Sequence, residues 1–234
     1  MKPIRLDGRS LTRDRMVEVA YGAQVMLDEG ALRNVAHAAA FLAEQVRREE
    51  PIYGVSTGFG SNADKLLGAH PLRDELPGAT PSGRSLHEEL QRNLIISHAV
   101  CVGEPFSAEV VRAMLCIRIN TLLRGHSGIR VETLRAMTAM LNAGVVPVVP
   151  QLGSVGASGD LAPLSHLAIV LLGGGEAFYN GERLRGDEAG CPLKKCLIAR
   201  QRGLHHYATG AHCAVSHRAG AAGGVSRGQR IHGQ

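Results

Sequence analysis

The sequence predicts a mainly α-helical fold with a few short strands, on three observations. Apolar residues recur at three- and four-residue spacing in several separate stretches, as one inward helix face requires. Capping residues precede those stretches and Gly or Pro follows them. Two glycine-rich runs, 54–60 and 153–159, interrupt the periodic segments and read as loops. With aromatics at 3% and no Trp, the core has to be built from Leu, Val, Ile, Ala and Met. The 234 residues suffice for one large domain or two small ones.

In chain order, Ile4-Arg5-Leu6-Asp7-Gly8 reads as a short hairpin around an Asp-Gly turn. Residues 12–20 form a brief helix ending near Gly22, and Val25-Met26-Leu27 a strand. Asp28 is placed to cap a long helix with Leu32, Val35, Ala36, Ala39, Leu42, Ala43 and Val46 on one side. Pro51 stops it. Residues 68–84, rich in Pro and Gly, read as an exposed loop. Ser85-Leu-His-Glu88 is a capping box opening a helix that runs to about Val102. Leu86, Leu90, Leu94 and His98 succeed one another at i+4, so His98 continues the apolar side of that helix. Pro105 and Ser107 start another, with Val111, Leu115, Ile119 and Leu122 inward and Gly125 as its stop. Residues 131–141 make a further helix ending at Gly144, and 145–156 are extended and interrupted by Pro. Residues 161–172 are apolar nearly all round, the pattern of a buried helix. Tyr179-Asn180-Gly181-Glu182 is a hairpin turn.

The start of the chain lacks the charged and apolar regions of a signal peptide. The longest apolar run, 167–172, falls far short of the ~20 residues that span a bilayer. Five Cys without framework spacing suit a reducing cytosol, so a cytoplasmic protein with no membrane partner is expected. The net charge of +5 is unevenly placed. Of the 26 Lys/Arg, 7 follow residue 190, together with five of the 11 His and none of the 21 Asp/Glu. Periodicity also stops there. The expected organisation is an incomplete domain at 1–190 and an aberrant or disordered basic tail at 191–234, the chain being truncated. Cys191, Cys196 and the tail His fit zinc-site spacing poorly, and charge alone is a weak case for nucleic acid, so neither partner is expected.

Chemistry concentrates in Gly153-Ser154-Val155-Gly156-Ala157-Ser158-Gly159-Asp160. No Lys follows, so this is not a P-loop, and the glycine spacing fails the dinucleotide fingerprint. Asp160 stands where a nucleophile elbow needs its last Gly. In a tight turn, however, the Gly159 nitrogen can close a five-membered ring on the Ala157 carbonyl carbon. Loss of water from the ring and of the Ser158 hydroxyl as water leaves a methylidene electrophile, in the role a bound cofactor otherwise fills. An inert turn is the alternative. Gly54-Val-Ser56-Thr-Gly58 does match Gly-x-Ser-x-Gly, which raises a serine hydrolase using Ser56. A helix and Pro51 precede it, where an elbow needs a strand.

Residues 153–166, Gly-Ser-Val-Gly-Ala-Ser-Gly-Asp-Leu-Ala-Pro-Leu-Ser-His, resemble the signature of the aromatic amino acid ammonia-lyases. Tyr53-Gly-Val-Ser-Thr-Gly-Phe-Gly60 resembles the loop bearing that family's catalytic tyrosine, and Gln91-Arg-Asn-Leu-Ile-Ile-Ser-His98 the segment that meets the substrate ring. The resemblance covers about residues 4–188. It implies the N-terminal part of a fumarase/aspartase-like helical subunit. It also implies that Ala157-Ser158-Gly159 becomes 4-methylideneimidazol-5-one (MIO), with no metal or nucleotide. Tyr53 would then be catalytic, with Gly60 supporting its loop. Ser97-His98 is the mark of the histidine branch, so the implied reaction converts L-histidine to urocanate, His98 binding the substrate ring. Tyrosine- or phenylalanine-acting lyases, aminomutases and an inactive lyase fragment are the alternatives. Homotetramers with shared sites are implied.

Without the resemblance, Tyr53 reads as a packing residue and His98 as a satisfied core histidine. Asp160 is equally a cap for the following helix or a participant in ring formation. His166 reads as structural, His126 and Arg130 as loop-fixing, and Cys101 and Cys116 as inert core thiols.

Overall fold

A computed structural model describes residues 2–48, 50–58, 86–157 and 159–189. The expectations for 59–85, Gly60 and Ser85 included, for Ser158 and for the tail after 190 lie outside the described residues.

The chain begins with β1 (Ile4–Leu6), α1 (Arg13–Ala20) and β2 (Val25–Leu27). Here the structure departs from the expected hairpin: β1 pairs with β2 in parallel, Ile4 opposite Val25 and Leu6 opposite Leu27. The Asp7 side chain explains why. Its Oδ1 accepts from the amides of Arg9 and Ser10 at 2.8 and 2.7 Å, and Gly8 donates to Asn120 Oδ1 at 2.9 Å. This corner sends the chain outward into α1, which Thr12 caps through the Arg15 amide. A parallel partner needs such a crossover.

Asp28 caps α2 (Glu29–Arg47), its Oδ1 accepting from the Ala31 amide at 2.9 Å. Only Ala31, Leu32 and Val35 of this helix are buried, while Ala36 and Ala43 are exposed. Its apolar stripe is therefore longer than its buried part among the described residues.

The core centres on α4 (Ala108–Leu122), which packs against α1 and against α5 (Val131–Asn142). Val111, Leu115, Ile119 and Leu122 all point inward as their spacing predicts, and they meet Leu134, Met140 and Leu141 of α5. Each such side chain contributes about 1.5–3 kcal/mol on full burial. Arg112, half-buried in α4, ties the layers through backbone carbonyls: Nε donates to Val19 at 3.0 Å and Nη1 to Leu141 at 2.8 Å. Both are last-turn carbonyls that also accept an amide from just beyond their helix, Gly22 on Val19 at 3.1 Å and Gly144 on Leu141 at 3.3 Å.

A three-stranded antiparallel sheet of β4 (Val146–Pro147), β6 (Glu176–Tyr179) and β7 (Glu182–Arg185) closes one side. Asn180 and Gly181 both carry positive φ, 51° and 84°, which the expected two-residue hairpin turn requires.

The elements around the glycine-rich loop are α3 (Leu86–His98), β3 (Val102–Pro105), β5 (Pro150–Leu152) and α6 (Leu161–Ile169). The helix expected to reach Val102 stops at His98, because Val102–Pro105 is drawn into an antiparallel pair with β5. The helix 161–172 is also less buried than expected. Residues 170–172 tighten to a 3₁₀ turn, and of 161–172 only Pro163, Leu167 and Val170 are buried.

Candidate active site

The β3–β5 pair sets Val102 opposite Leu152, so the end of α3 and the start of the glycine-rich loop leave the same strand end together. One residue further on, Gly153 comes so close to Cys101 that a Cβ there would lie 3.1 Å from the Cys101 Cα. Gly153 also has φ +127°, a conformation that side chains resist, so this site requires glycine twice over. Ala157 and Gly159 lie in neither helix nor strand. The Gly159 amide donates to the Gly156 carbonyl at 3.3 Å, closing a turn across the triplet. Gly159 has φ +86° and open space where a Cβ would be.

Asp160 sits at the N-cap position of α6 but does not cap it. Its backbone is left-handed, φ 58° and ψ 46°, and its side chain makes no cap bond. The carboxylate turns back instead, Oδ1 accepting from the Ser154 hydroxyl at 2.7 Å. Of the two sequence readings of Asp160, the capping one is overturned. Asp is one of the few residues that accepts this backbone.

His98 ends α3 half-buried, its Nδ1 2.9 Å from the Leu94 carbonyl oxygen and 3.2 Å from Ser97 Oγ. A carbonyl only accepts, so Nδ1 carries the proton and Nε2 is the accepting nitrogen of the neutral ring. His166 in α6 does the converse: its Nε2 accepts from the Cys101 amide at 3.1 Å. Burial pushes the His166 pKa down, keeping the ring in the neutral form that can accept. Burial pushes both the Cys101 and Cys116 thiols up, Cys116 to about 11, as befits inert thiols. Tyr53 comes from a different segment, the connection after α2, and is 65% exposed.

The aromatic amino acid lyase family model matches residues 11–199. The chain belongs to this family. A histidine ammonia-lyase of Symbiobacterium thermophilum is 49% identical over 183 residues, 78% of this chain and 33% of that protein. One from Gloeobacter violaceus is 49% identical over 185 residues, 79% and 33% of the two chains. Among solved structures, histidine ammonia-lyase from Trypanosoma cruzi aligns at TM-score 0.68 and 38% identity, over 82% of this chain and 35% of that one. Ergothionase from Treponema denticola aligns at 0.70 and 30%, over 82% and 36%. The chain thus spans about a third of the length of these curated relatives. No helix among the described residues is long and apolar enough to cross a membrane.

Within this lyase framework the hydrolase reading of Ser56 fails on geometry. Ser56 is buried, its hydroxyl donating to the Glu50 carbonyl and accepting from the Ile52 amide at 2.7 Å. It pins the loop that presents Tyr53 and is no nucleophile. Two contributors went unread in the sequence, Ser154 as partner of Asp160 and Cys101 as seat of the loop. Ser154 stands inside the signature, yet a six-residue reach between side chains has no periodic signal. Cys101 acts through its backbone, which no side-chain identity announces.

Proposed function

We propose that this chain forms the electrophile-bearing part of a histidine ammonia-lyase. It acts in the non-oxidative elimination of ammonia from L-histidine to give urocanate. The observation that carries the reading is the β3–β5 pairing, which brings the end of α3, with His98, to the loop bearing Ala157-Ser158-Gly159. Histidine ammonia-lyase relatives at 42–49% identity support the choice of substrate.

In ring closure the Gly159 nitrogen attacks the Ala157 carbonyl carbon, whose oxygen leaves as water. The Ser158 hydroxyl leaves as a second water together with its α-hydrogen. The turn closed at Gly156 and the open space at Gly159 fit that reaction. The MIO group so formed supplies an electron sink to the substrate. Tyr53 moves the proton of the substrate β-carbon as base or proton donor. His98 offers its unprotonated Nε2 to the imidazole N–H of the substrate, the opposite nitrogen being held by Leu94. Asp160 supports the turn, and Gly60 the Tyr53 loop. The protein works as a homo-oligomer, a tetramer, in the cytoplasm.

Intact mass of the purified chain against Ser158→Ala tests the maturation: the wild type is lighter by two waters relative to its sequence and the variant is not. An unshifted wild-type mass refutes it. Incubation with histidine, tyrosine and phenylalanine side by side tests the substrate, with urocanate the expected product. Mass loss without urocanate would assign maturation to this chain and turnover to a longer protein. Where turnover is present, Tyr53→Phe abolishes it and leaves the mass loss intact.

A further inference from the structure

We propose that His166 is a positioning residue that holds the triplet loop in register with His98, acting through the backbone of Cys101. This rests on the lyase reading above and adds a residue to it.

Three contacts converge on the short exit from α3. The His166 ring accepts from the Cys101 amide at 3.1 Å. Gly153 lies against Cys101, so that a Cβ on it would come within 3.1 Å of the Cys101 Cα. Val102 pairs with Leu152 in the strand ladder. Gly153 enters the triplet loop, and His166 lies in the helix that leaves it. Both ends of the loop therefore rest on one residue, three positions beyond His98. Between His98 and Cys101 the chain has little slack, since the Val100 amide donates to the His98 carbonyl at 2.9 Å. Between the triplet and His166 lies α6, a rigid rod of about 1.5 Å per residue. α3 and α6 also pack directly on one another.

The ring is thus the one side-chain hydrogen bond recorded between α6 and the α3 exit among the described residues. Apolar packing alone lets two helices slide, whereas a directional acceptor at a fixed height does not. An acceptor nitrogen at this position sets where His98 stands relative to the triplet.

Two variants of the full chain separate positioning from bulk. His166→Leu keeps volume and removes the acceptor; His166→Gln restores an acceptor of similar reach. The readouts are hydrogen exchange at the Cys101 amide, the ring resonances of His98 and the rate at which two waters are lost. In His166→Leu, exchange at Cys101 speeds up by about tenfold, the His98 resonances move and ring closure slows. His166→Gln recovers all three in large part. Unchanged exchange and His98 resonances in His166→Leu, or Gln performing no better than Leu, overturns the proposal. A wild type that never loses water refutes the maturation reading instead, while the Cys101 and His98 measurements still decide the role of His166.

Discussion

Ser154 and Asp160 are joined across the triplet, hydroxyl to carboxylate, at 2.7 Å. The bond ties the residue after Gly153 to the residue before α6, and so fixes the separation of the two ends of the loop. Closing a ring needs the Gly159 nitrogen held near the Ala157 carbonyl, and a clamp on the loop ends restricts the open conformations that compete. Ser154→Ala is therefore expected to slow loss of the two waters. Its effect on global stability stays near the 0.5–1.5 kcal/mol of one hydrogen bond. Time-resolved intact mass beside urea unfolding measures both. Normal maturation in Ser154→Ala would show the clamp to be dispensable.

Arg112 offers a test of what holds the layers together. Its guanidinium donates to the Val19 and Leu141 carbonyls, and Nη2 lies 3.4 Å from that of Ala23. No flexible ammonium reproduces this fork. Arg112→Met should destabilise the chain by about 2–3 kcal/mol, since it removes the charged-donor hydrogen bonds that join three segments. Arg112→Lys should recover only part of that. Equal urea midpoints for wild type and Arg112→Met would show that packing alone holds these layers.

The pH dependence follows from His166. Its folded pKa lies below the ordinary value of 6.5 because burial penalises the charged ring. The unfolded chain therefore binds the proton more readily. Stability is full above 6.5, falls as pH drops through that value, and levels once the folded ring is itself protonated. Other groups titrate nearby, so the informative quantity is a difference. Wild type minus His166→Gln, from urea melts between pH 8 and 5, should fall toward acid. A flat difference would mean that His166 is as easily protonated folded as unfolded.

Asp7 makes the opposite case at lower pH. Amides of Ser10 and Arg9, then the Ser10 hydroxyl, hold its carboxylate down at about 2, against 3.8 ordinarily. Its contribution is complete above 3.8 and is lost as pH falls toward 2. Because the group is exposed, solvent screening keeps the effect small. Asp7→Asn should cost little at neutral pH and should lose its difference from wild type by pH 2. A difference persisting there would mean that the Asp7 turn acts through geometry and not through charge.

Where a single element decides its own conformation, the sequence was a sufficient guide. Asp28 caps its helix as expected, helices begin beside Thr12 and Ser107, and Asn180-Gly181 turns its hairpin. The four inward residues of α4 follow from spacing alone. Misreadings arose where a distant segment intervened. Asp7-Gly8 signals a hairpin locally, but Asn120, 112 positions away, helps hold it as a corner. α3 has helical spacing beyond His98, yet strand pairing with residues 150–152 takes those positions. Asp160 has the identity of a cap, and Ser154 diverts its carboxylate. For the proposed site, the triplet, Tyr53 and His98 are read from residue types in a pattern. The contact of Cys101 with Gly153 and His166 is not, because it is made by backbone.

His98 carries the last prediction. The Leu94 carbonyl lies 2.9 Å from Nδ1 and fixes the ring orientation; on the proposed function, Nε2 would accept from the N–H that an imidazole has and a phenyl ring lacks. A site built on such a bond discriminates chiefly by leaving its polar atom unpaired when the donor is missing. His98→Leu should therefore weaken binding of L-histidine by about tenfold or more. It should leave phenylalanine binding unchanged or improved, so the ratio of the two affinities collapses. Titration of both amino acids against wild type and variant measures that ratio. An equal loss for both would mean that His98 supports the pocket without reading the ring.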